Sequence, residues 1–295
     1  MNVPHEPVLL KEVLAVFEGR EIGCFVDGTL GAGGHAEAIL RAHPEIEMFI
    51  GCDRDPDAMA LAKKRLEPWK EKVKFFHGTH SHLSEPLEGR CADGVLIDAG
   101  VSSMQLDRPE RGFSFQGIGP LDMRMDPDAK LSAQEIVNRW REEDLVRILK
   151  EFGEEPRARA VARAIIAARK KKKLETTRDL VEAIRGVARG KKHLHFATLT
   201  FQAIRIAVND ELGELDRGIR EGIRALCRGG RIAVISFHRL EDRIAKQCFR
   251  EEEYKEKTEK GSLMLLSKKP IESSEDEMKK NPRSRSAKLR AAEKI

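Results

Sequence analysis

No stretch of about eighteen consecutive apolar residues occurs in this chain, which excludes a hydrophobic membrane-spanning helix. The opening Met-Asn-Val-Pro-His-Glu has neither a charged stretch nor an apolar one after it, so no secretory leader is expected. Cysteine is scarce: five residues, at 24, 52, 91, 227 and 248, an odd number with no Cys-x-x-Cys spacing. That leaves no zinc motif. Cys24 and Cys52 fall in apolar, strand-like runs, and the expectation is reduced core thiols in a cytoplasmic protein. Aromatic side chains are few, with one Tyr and two Trp. Three histidines crowd into His77–His82, but no carboxylate or further ligand completes a set at useful spacing, so no metal is expected.

What is present is charge and glycine. The charged share is 35%, which leans toward the ion-rich surfaces of heat-adapted proteins, and an apolar share of 40% suffices for a real core. A length of 295 residues suggests one large or two ordinary domains.

The organising stretch is Phe25-Val-Asp-Gly-Thr-Leu-Gly-Ala-Gly-Gly-His-Ala36. An apolar run over 23–26 reads as a buried strand. Asp27 follows, then Gly28, Gly31, Gly33 and Gly34, then a helix opening near Ala36. Strand, glycine turn and helix start form the first half of a nucleotide-binding βαβ unit. Gly31-x-Gly33-x-x-Ala36 also fits the dinucleotide fingerprint, so this turn alone leaves the cofactor open. A second strand over 47–52 ends in Asp53, which lies 22 residues after Gly31. That is near the usual spacing for an acid holding ribose hydroxyls. Asp55 is a plausible N-cap for the following helix, with Pro56 at its first position. A further strand over 94–97 ends in Asp98. Three strands thus end in Asp. A dinucleotide has no obvious use for a carboxylate at the first, where its pyrophosphate would meet like charge. S-adenosylmethionine has no phosphate and carries a sulfonium and an ammonium, so these acids favour a methyl donor.

The rest is read in order. Val8–Phe17 is an amphipathic helix behind His5 and Glu6, which either reach a site or face solvent. Val73–His77 is a strand; in a methyltransferase the loop after it lies beside the adenine, which makes His80 a stacking candidate. From Ala99 to about residue 131 no period is visible, and so long an irregular run is usually functional. From Ser132 to Val208 the pattern is helical throughout: Ser132 caps the first helix, Pro156 stands at the first position of the third, and Thr176 or Thr177 caps the fourth. A helix over 214–227, closed by Gly229-Gly230, leads to a strand over 231–236 and a helix from about His238 to Arg250. A short last strand covers 263–267, and the remaining tail reads as basic and polar, lying on the core or contacting RNA. The fold class is therefore α/β: a Rossmann-like class I methyltransferase sheet with an inserted all-helical domain. Its boundaries are expected at 1–101, 102–208 and 209–295.

Charge is unevenly placed. Between Pro156 and Arg205, fourteen Lys and Arg face three acids, Glu175, Asp179 and Glu182, a balance of +11 against +5 for the whole chain. The remainder is net acidic. A basic module on an acidic core reads as a footprint for a phosphate backbone, whereas a merely solvated helical surface would intersperse acids.

Taken together the motifs resemble one family over nearly the whole chain. The matching pieces are His5-Glu-Pro-Val-Leu-Leu10, Asp27-Gly-Thr with Gly33-Gly-His35, Asp53-Arg-Asp55, Asp98-x-Gly-Val-Ser-Ser103, Arg111-Gly-Phe-Ser-Phe115, Pro120-Leu-Asp-Met-Arg-Met-Asp126, Phe201-Gln-Ala-Ile-Arg-Ile-Ala-Val-Asn209 and Ser236-Phe-His-x-Leu-Glu-Asp-Arg243. The chain is similar to the bacterial 16S rRNA cytosine-N4 methyltransferases (RsmH, or MraW). The resemblance implies that Gly33, Gly34, His35, Asp53, Asp98 and Gln105 contact S-adenosylmethionine. It also implies a substrate cytidine in the decoding centre of the small ribosomal subunit, at the P site. Three positions depart from the family: His80 where Phe is frequent, Ile118 where Asp is, and His195-Phe-Ala-Thr-Leu199 where the family often reads His-Pro-Ala-Thr-Arg.

The chemistry expected of such a site concerns the nucleophile. The lone pair of a cytosine N4 is delocalised into the ring, so an acceptor for an N4 proton favours attack. Asp98, or a backbone carbonyl of Ala99-Gly100, is the candidate; the competing role for Asp98 is to orient the cofactor. Asp122, Arg124 and His238 are candidates for holding a flipped base. Lys171, Lys172 and Lys173 are candidates for binding phosphates. Three alternatives stay open: an NAD-dependent oxidoreductase on the same glycine turn, a non-enzymatic rRNA-binding assembly factor, and a methyltransferase acting on another nucleic-acid amine.

Overall fold

The computed structural model describes residues 7–189, 195–254 and 261–295, so His5, Glu6 and the charged stretch 255–260 lie outside the described residues. The chain divides into two compact units, Met1–Gly100 with Leu212–Ile295, and Val101–Glu211.

The first unit is a sheet covered on both faces. Its strands are β1 (Cys24–Asp27), β2 (Met48–Asp53), β3 (Val73–His77), β4 (Ala92–Asp98), β5 (Leu226–Ser236), β6 (Leu263–Leu265), β7 (Ile271–Glu272) and β8 (Lys288–Lys294). The order is β3-β2-β1-β4-β5-β8-β6, with β7 also on β8. The first five strands are parallel, and β8 runs antiparallel to β5, β6 and β7. The strands read as unbroken apolar runs because both faces are buried. Val26, Ile50, Val95, Ile97 and Val234 point to one side, against Leu215, Ile219 and Ile223 of α10 (Glu211–Ala225) and Phe249 of α11 (Arg239–Glu252). Phe25, Phe49, Leu96 and Ile235 point to the other, against α1 (Leu10–Phe17), α2 (Gly34–Ala42) and α3 (Pro56–Arg65).

Four features of this unit differ from the sequence reading. The basic tail is not peripheral: after α12 (Glu275–Lys280) it forms β8, inserted between β5 and β6. Leu289, Ala291 and Ala292 are buried, and the charged residues Arg290, Glu293 and Lys294 are matched inside the protein. Arg290 binds Asp242 at 2.7 Å, Glu293 takes Arg231 at 3.0 Å, and Lys294 caps the carbonyls of Arg224 and Leu226 at 3.0 and 2.8 Å. The strand 263–267 is accordingly not the last. Gly229 and Gly230 do not close a helix; α10 stops at Ala225 and the glycines belong to β5. Finally, Cys91 and Cys227 form a disulfide, a pairing that the sequence reading does not contain. They lie beside Ala92 and Leu226, which are partners in the β4–β5 ladder, so the sheet unites cysteines 136 residues apart. Cys24, Cys52 and Cys248 are free and buried. Burial pushes the Cys24 thiol up to about 11, with Asp93 adding to the shift.

The second unit is helical: α4 (Ser103–Asp107), α5 (Ala133–Arg139), α6 (Glu142–Glu151), α7 (Ala158–Lys171), α8 (Thr177–Ile184) and α9 (Thr198–Asn209). Ile136, Leu145, Ile148, Val161, Ile165, Leu180 and Ile204 share one core. Ser132 caps α5 and Thr176 caps α8 through side-chain acceptors. Pro156 does not stand at the first position of α7, which starts two residues later behind Arg157. The aperiodic run is tied to this core by Asn209, which accepts from the Met125 N–H and donates to the Met123 carbonyl, 2.8 and 2.7 Å away.

Candidate cofactor and active site

Strand order reverses between β1 and β4, and at such a switch point a parallel sheet opens a crevice beyond its carboxyl ends. Asp27, Asp53 and Asp98 end β1, β2 and β4 there. The turn after β1 is held to its neighbours by its own backbone: the Gly28 N–H donates to Leu96 O and the Leu30 N–H to Cys52 O, both at 2.8 Å. Asp53 accepts from the Gly31 N–H at 2.7 Å on Oδ2 and from the Asp55 N–H at 2.8 Å on Oδ1. Each oxygen keeps a further lone pair. Asp55 caps α3 by accepting from Asp57, with Pro56 at the first helical position.

Asp27 is buried and accepts from the Thr29 N–H at 3.0 Å. Burial pushes its carboxyl up to about 7, against the pull of Thr29. The Thr29 hydroxyl accepts from the Asp98 N–H at 2.6 Å, which joins the two strand ends. Asp98 lies well above the ordinary carboxylate range, first through burial, then through Asp27 and Glu241. Its Oδ1 is covered and has no hydrogen-bond partner. Its Oδ2 lies 3.7 Å from His35 Nδ1. His35 Nε2 donates to the Val8 carbonyl at 3.0 Å, and burial drops the imidazole to about 4, so the ring is neutral. With the proton on Nε2, Nδ1 presents a lone pair to Asp98.

Gly33 is left-handed, with φ +78°, and stands at the N-cap of α2. Gly34 answers to the N-terminal segment: a Cβ there would lie 2.7 Å from Pro7 Cγ. His80 sits between Gly28 and Gly218, where a Cβ on Gly218 would fall 2.2 Å from its ring. Burial, with Arg54 nearby, drops His80 to about 4, and its Nε2 is covered without a partner. His238 is the N-cap of α11, in a reciprocal box with Glu241. Glu241 is buried and accepts from the Phe237 N–H at 2.7 Å and the His238 N–H at 3.1 Å. Thr29 and Glu241 had not been singled out. The signal for Glu241 was its spacing, three residues after a capping residue.

The remaining candidates belong to the helical unit. Gln105 is the third residue of α4 and accepts from the Ser102 N–H in a capping box. Asp122 and Arg124 grip each other through two hydrogen bonds, at 2.8 and 2.7 Å, and Arg124 also donates to the Ala129 carbonyl at 2.8 Å. Burial opposes it, yet the Arg124 guanidinium holds Asp122 below the usual carboxylate range. Lys171 ends α7, Lys172 pairs with Asp179 at 3.3 Å and Lys173 with Glu175 at 3.5 Å. Of the three family departures, Ile118 is exposed, Leu199 is buried, and Phe196 packs on the His195 ring with centroids 4.3 Å apart. Among the described residues, no group of three or more His, Cys, Asp or Glu could hold a metal ion.

Among the described residues, no Lys or Arg pairs with Asp27 or Asp98. Uncompensated carboxylates of this kind call for a ligand that brings positive charge and no phosphate. A sheet of order 3-2-1-4-5 with an antiparallel strand beyond it, and acids ringing its switch point, defines a class I methyltransferase whose cofactor is S-adenosylmethionine. This sets aside the dinucleotide reading of the glycine turn. The chain belongs to the MraW methylase family, whose model matches residues 2–295. It is 48% identical over 308 residues to a ribosomal RNA small subunit methyltransferase H of Protochlamydia amoebophila, covering 99% of this chain and 98% of that one. A protein of the same name from Geotalea uraniireducens is 47% identical over 307 residues, covering 99% and 98%. The crystal structure of PH0851 shares the fold, with a TM-score of 0.51 at 11% identity, covering 99% of this chain and 47% of that one.

Proposed function

We propose that this protein transfers a methyl group from S-adenosylmethionine to the exocyclic N4 amine of a cytidine in the decoding centre of 16S rRNA, at the P site, acting in the cytoplasm on the small ribosomal subunit. The atom and base rest on the family resemblance. The observation that carries the chemistry is Asp98: a carboxyl at the end of β4, one oxygen covered and unpartnered, with no cationic side chain among the described residues to neutralise it.

The cofactor supplies an already activated methyl on a sulfonium. The chain's contribution is to bind, orient and accept. The free lone pairs of Asp53 would take the two ribose hydroxyls. The turn through Gly33, Gly34 and His35 would pass beside the amino-acid portion, with His80 as a further contact. As the bond from N4 to the methyl carbon forms and the sulfur–carbon bond breaks, N4 gains positive charge and must lose a proton. The Asp98 carboxylate is the acceptor for that proton's hydrogen bond, and the proton then passes to water. An acceptor raised above the ordinary carboxylate range is a better base for this purpose. The positively charged helical unit supplies phosphate contacts.

The test is methyl transfer from labelled S-adenosylmethionine to small subunits from cells lacking this protein, followed by nucleoside mass analysis. N4-methylcytidine at the decoding centre is the expected product. Label on another base would overturn the choice of substrate atom, and RNA binding without label would point to an assembly factor.

A further inference from the structure

The helical unit has one end of α7 built differently from the other. At its start lies a surface cavity of about 450 Å³ lined by Lys150, Pro156, Arg157, Ala158, Arg159 and Ala160. Lys150 comes from the end of α6 and the arginines from the entry to α7, so two elements bring three cations to one hollow. Among the described residues, neither Lys150 nor Arg159 has an ion pair or a hydrogen-bond partner, and both are exposed. Arg157 is half-buried and steadied by the Val187 carbonyl at 3.4 Å. Three carboxylates lie close by in the chain, on Glu151, Glu154 and Glu155, and none of them lines the hollow. Glu155 is buried, with Oε1 accepting from the Arg157 N–H at 3.0 Å and Oε2 covered. The first turn of α7 contains no acidic residue, and the carboxylate at this end of the helix is that of Glu155, on the N-cap N–H.

The lysine run at the other end is the more conspicuous in the sequence, but its charges are partly occupied. Lys172 and Lys173 are paired with Asp179 and Glu175. Lys170 and Lys171 sit in the last turn, where cations complement the helix's own carbonyls. Arg169 donates to the Val137 carbonyl at 2.9 Å.

We infer that the hollow formed by Lys150, Arg157 and Arg159 is an anchor for a backbone phosphate of the RNA, and that it, rather than the lysine run, provides the dominant phosphate contact of the helical unit. The inference rests on the reading of that unit as an RNA-binding module. An anchor of this kind fixes register without reading sequence. It also explains why the cations converge on a concave site instead of spreading over the helix: a phosphate can meet several donors at once only where they surround it.

The experiment measures binding of the full-length protein to unmodified small ribosomal subunits over a range of KCl concentrations. Three forms are compared: the parent, Lys150→Ala with Arg159→Ala, and Lys172→Ala with Lys173→Ala. All four positions are exposed, and thermal stabilisation by S-adenosylhomocysteine reports that each variant is folded. The expected result is an affinity loss of about tenfold or more in the first variant. Its slope of log affinity against log salt should fall by about 1 for each contact removed. The second variant should change little. If the second variant loses affinity and slope while the first does not, the anchor is refuted and the RNA-binding reading stands. If neither changes, that reading falls as well.

Discussion

Two basic stretches of this chain have opposite fates. In β8, Arg290 is matched by Asp242, and Lys294 by backbone carbonyls; its neighbour Glu293 binds Arg231. Around the start of α7, Lys150 and Arg159 are matched by nothing among the described residues. Both read as basic in one dimension. The difference is whether acids and carbonyls distant in sequence are folded against them, and a count of lysines cannot report that. An unmatched charge is a candidate for function; a matched one belongs to the architecture. Asp98 obeys the same rule with the opposite sign.

The comparison is broken most severely by removing the matched stretch. Deleting residues 288–294 strips β5, β6 and β7 of their common partner and should abolish the cooperative thermal transition seen by circular dichroism. A truncated protein that melted normally and had lost only RNA affinity would make the tail an RNA arm after all. Next in size is the unmatched acid. Asp98→Asn should lower kcat by about 10²–10³, the scale for losing one polar partner at a developing charge. Asp53→Ala should instead act on cofactor affinity, measured by calorimetry with S-adenosylhomocysteine. Full turnover in Asp98→Asn would leave Asp98 without its acceptor role.

A smaller effect concerns pH. Asp27 is raised by burial from its ordinary 3.8 to about 7, so the folded protein holds a proton there that the unfolded chain releases above about pH 4. The stability this group contributes is complete below pH 4 and is lost as pH rises through 7. Asp27→Asn keeps an acceptor for the Thr29 N–H and cannot ionise. Its melting temperature without cofactor should match the parent near pH 4 and exceed it by a few degrees at pH 8. Smallest of all, Lys172→Ala with Lys173→Ala removes two exposed pairs and should move the melting temperature by less than about 2 °C.

Local grammar made much of this legible. Strand ends at Asp27, Asp53 and Asp98, the caps at Asp55, Ser132 and Thr176, and the helical character of 132–208 all lie in short windows with one strong signal each. What escaped depends on partners far away. Strand β8 alternates small apolar residues with charged ones and looks like a solvated tail until Asp242 and Arg231 are placed beside it. The Cys91–Cys227 pair has no local spacing because a 136-residue separation, the helical unit included, stands between strands that are neighbours in the sheet. Asp122 and Arg124 looked like free polar groups for a base, yet they satisfy each other and hold their own loop. The mutual charges of Asp27, Asp98 and Glu241 appear only when two strands and α11 meet.

The position of β8 also governs the order in which the molecule can be made. Strands β1, β2 and β4, with the acids of the cofactor crevice, are synthesised within the first hundred residues, and the helical unit follows with a core of its own. Strand β5 then waits with one edge unpaired until residue 288 and those after it have emerged. A ribosome translating this message therefore carries a chain whose helical unit can already be folded while its parallel sheet is still open, and the finished enzyme exists only after the last strand slides between two others.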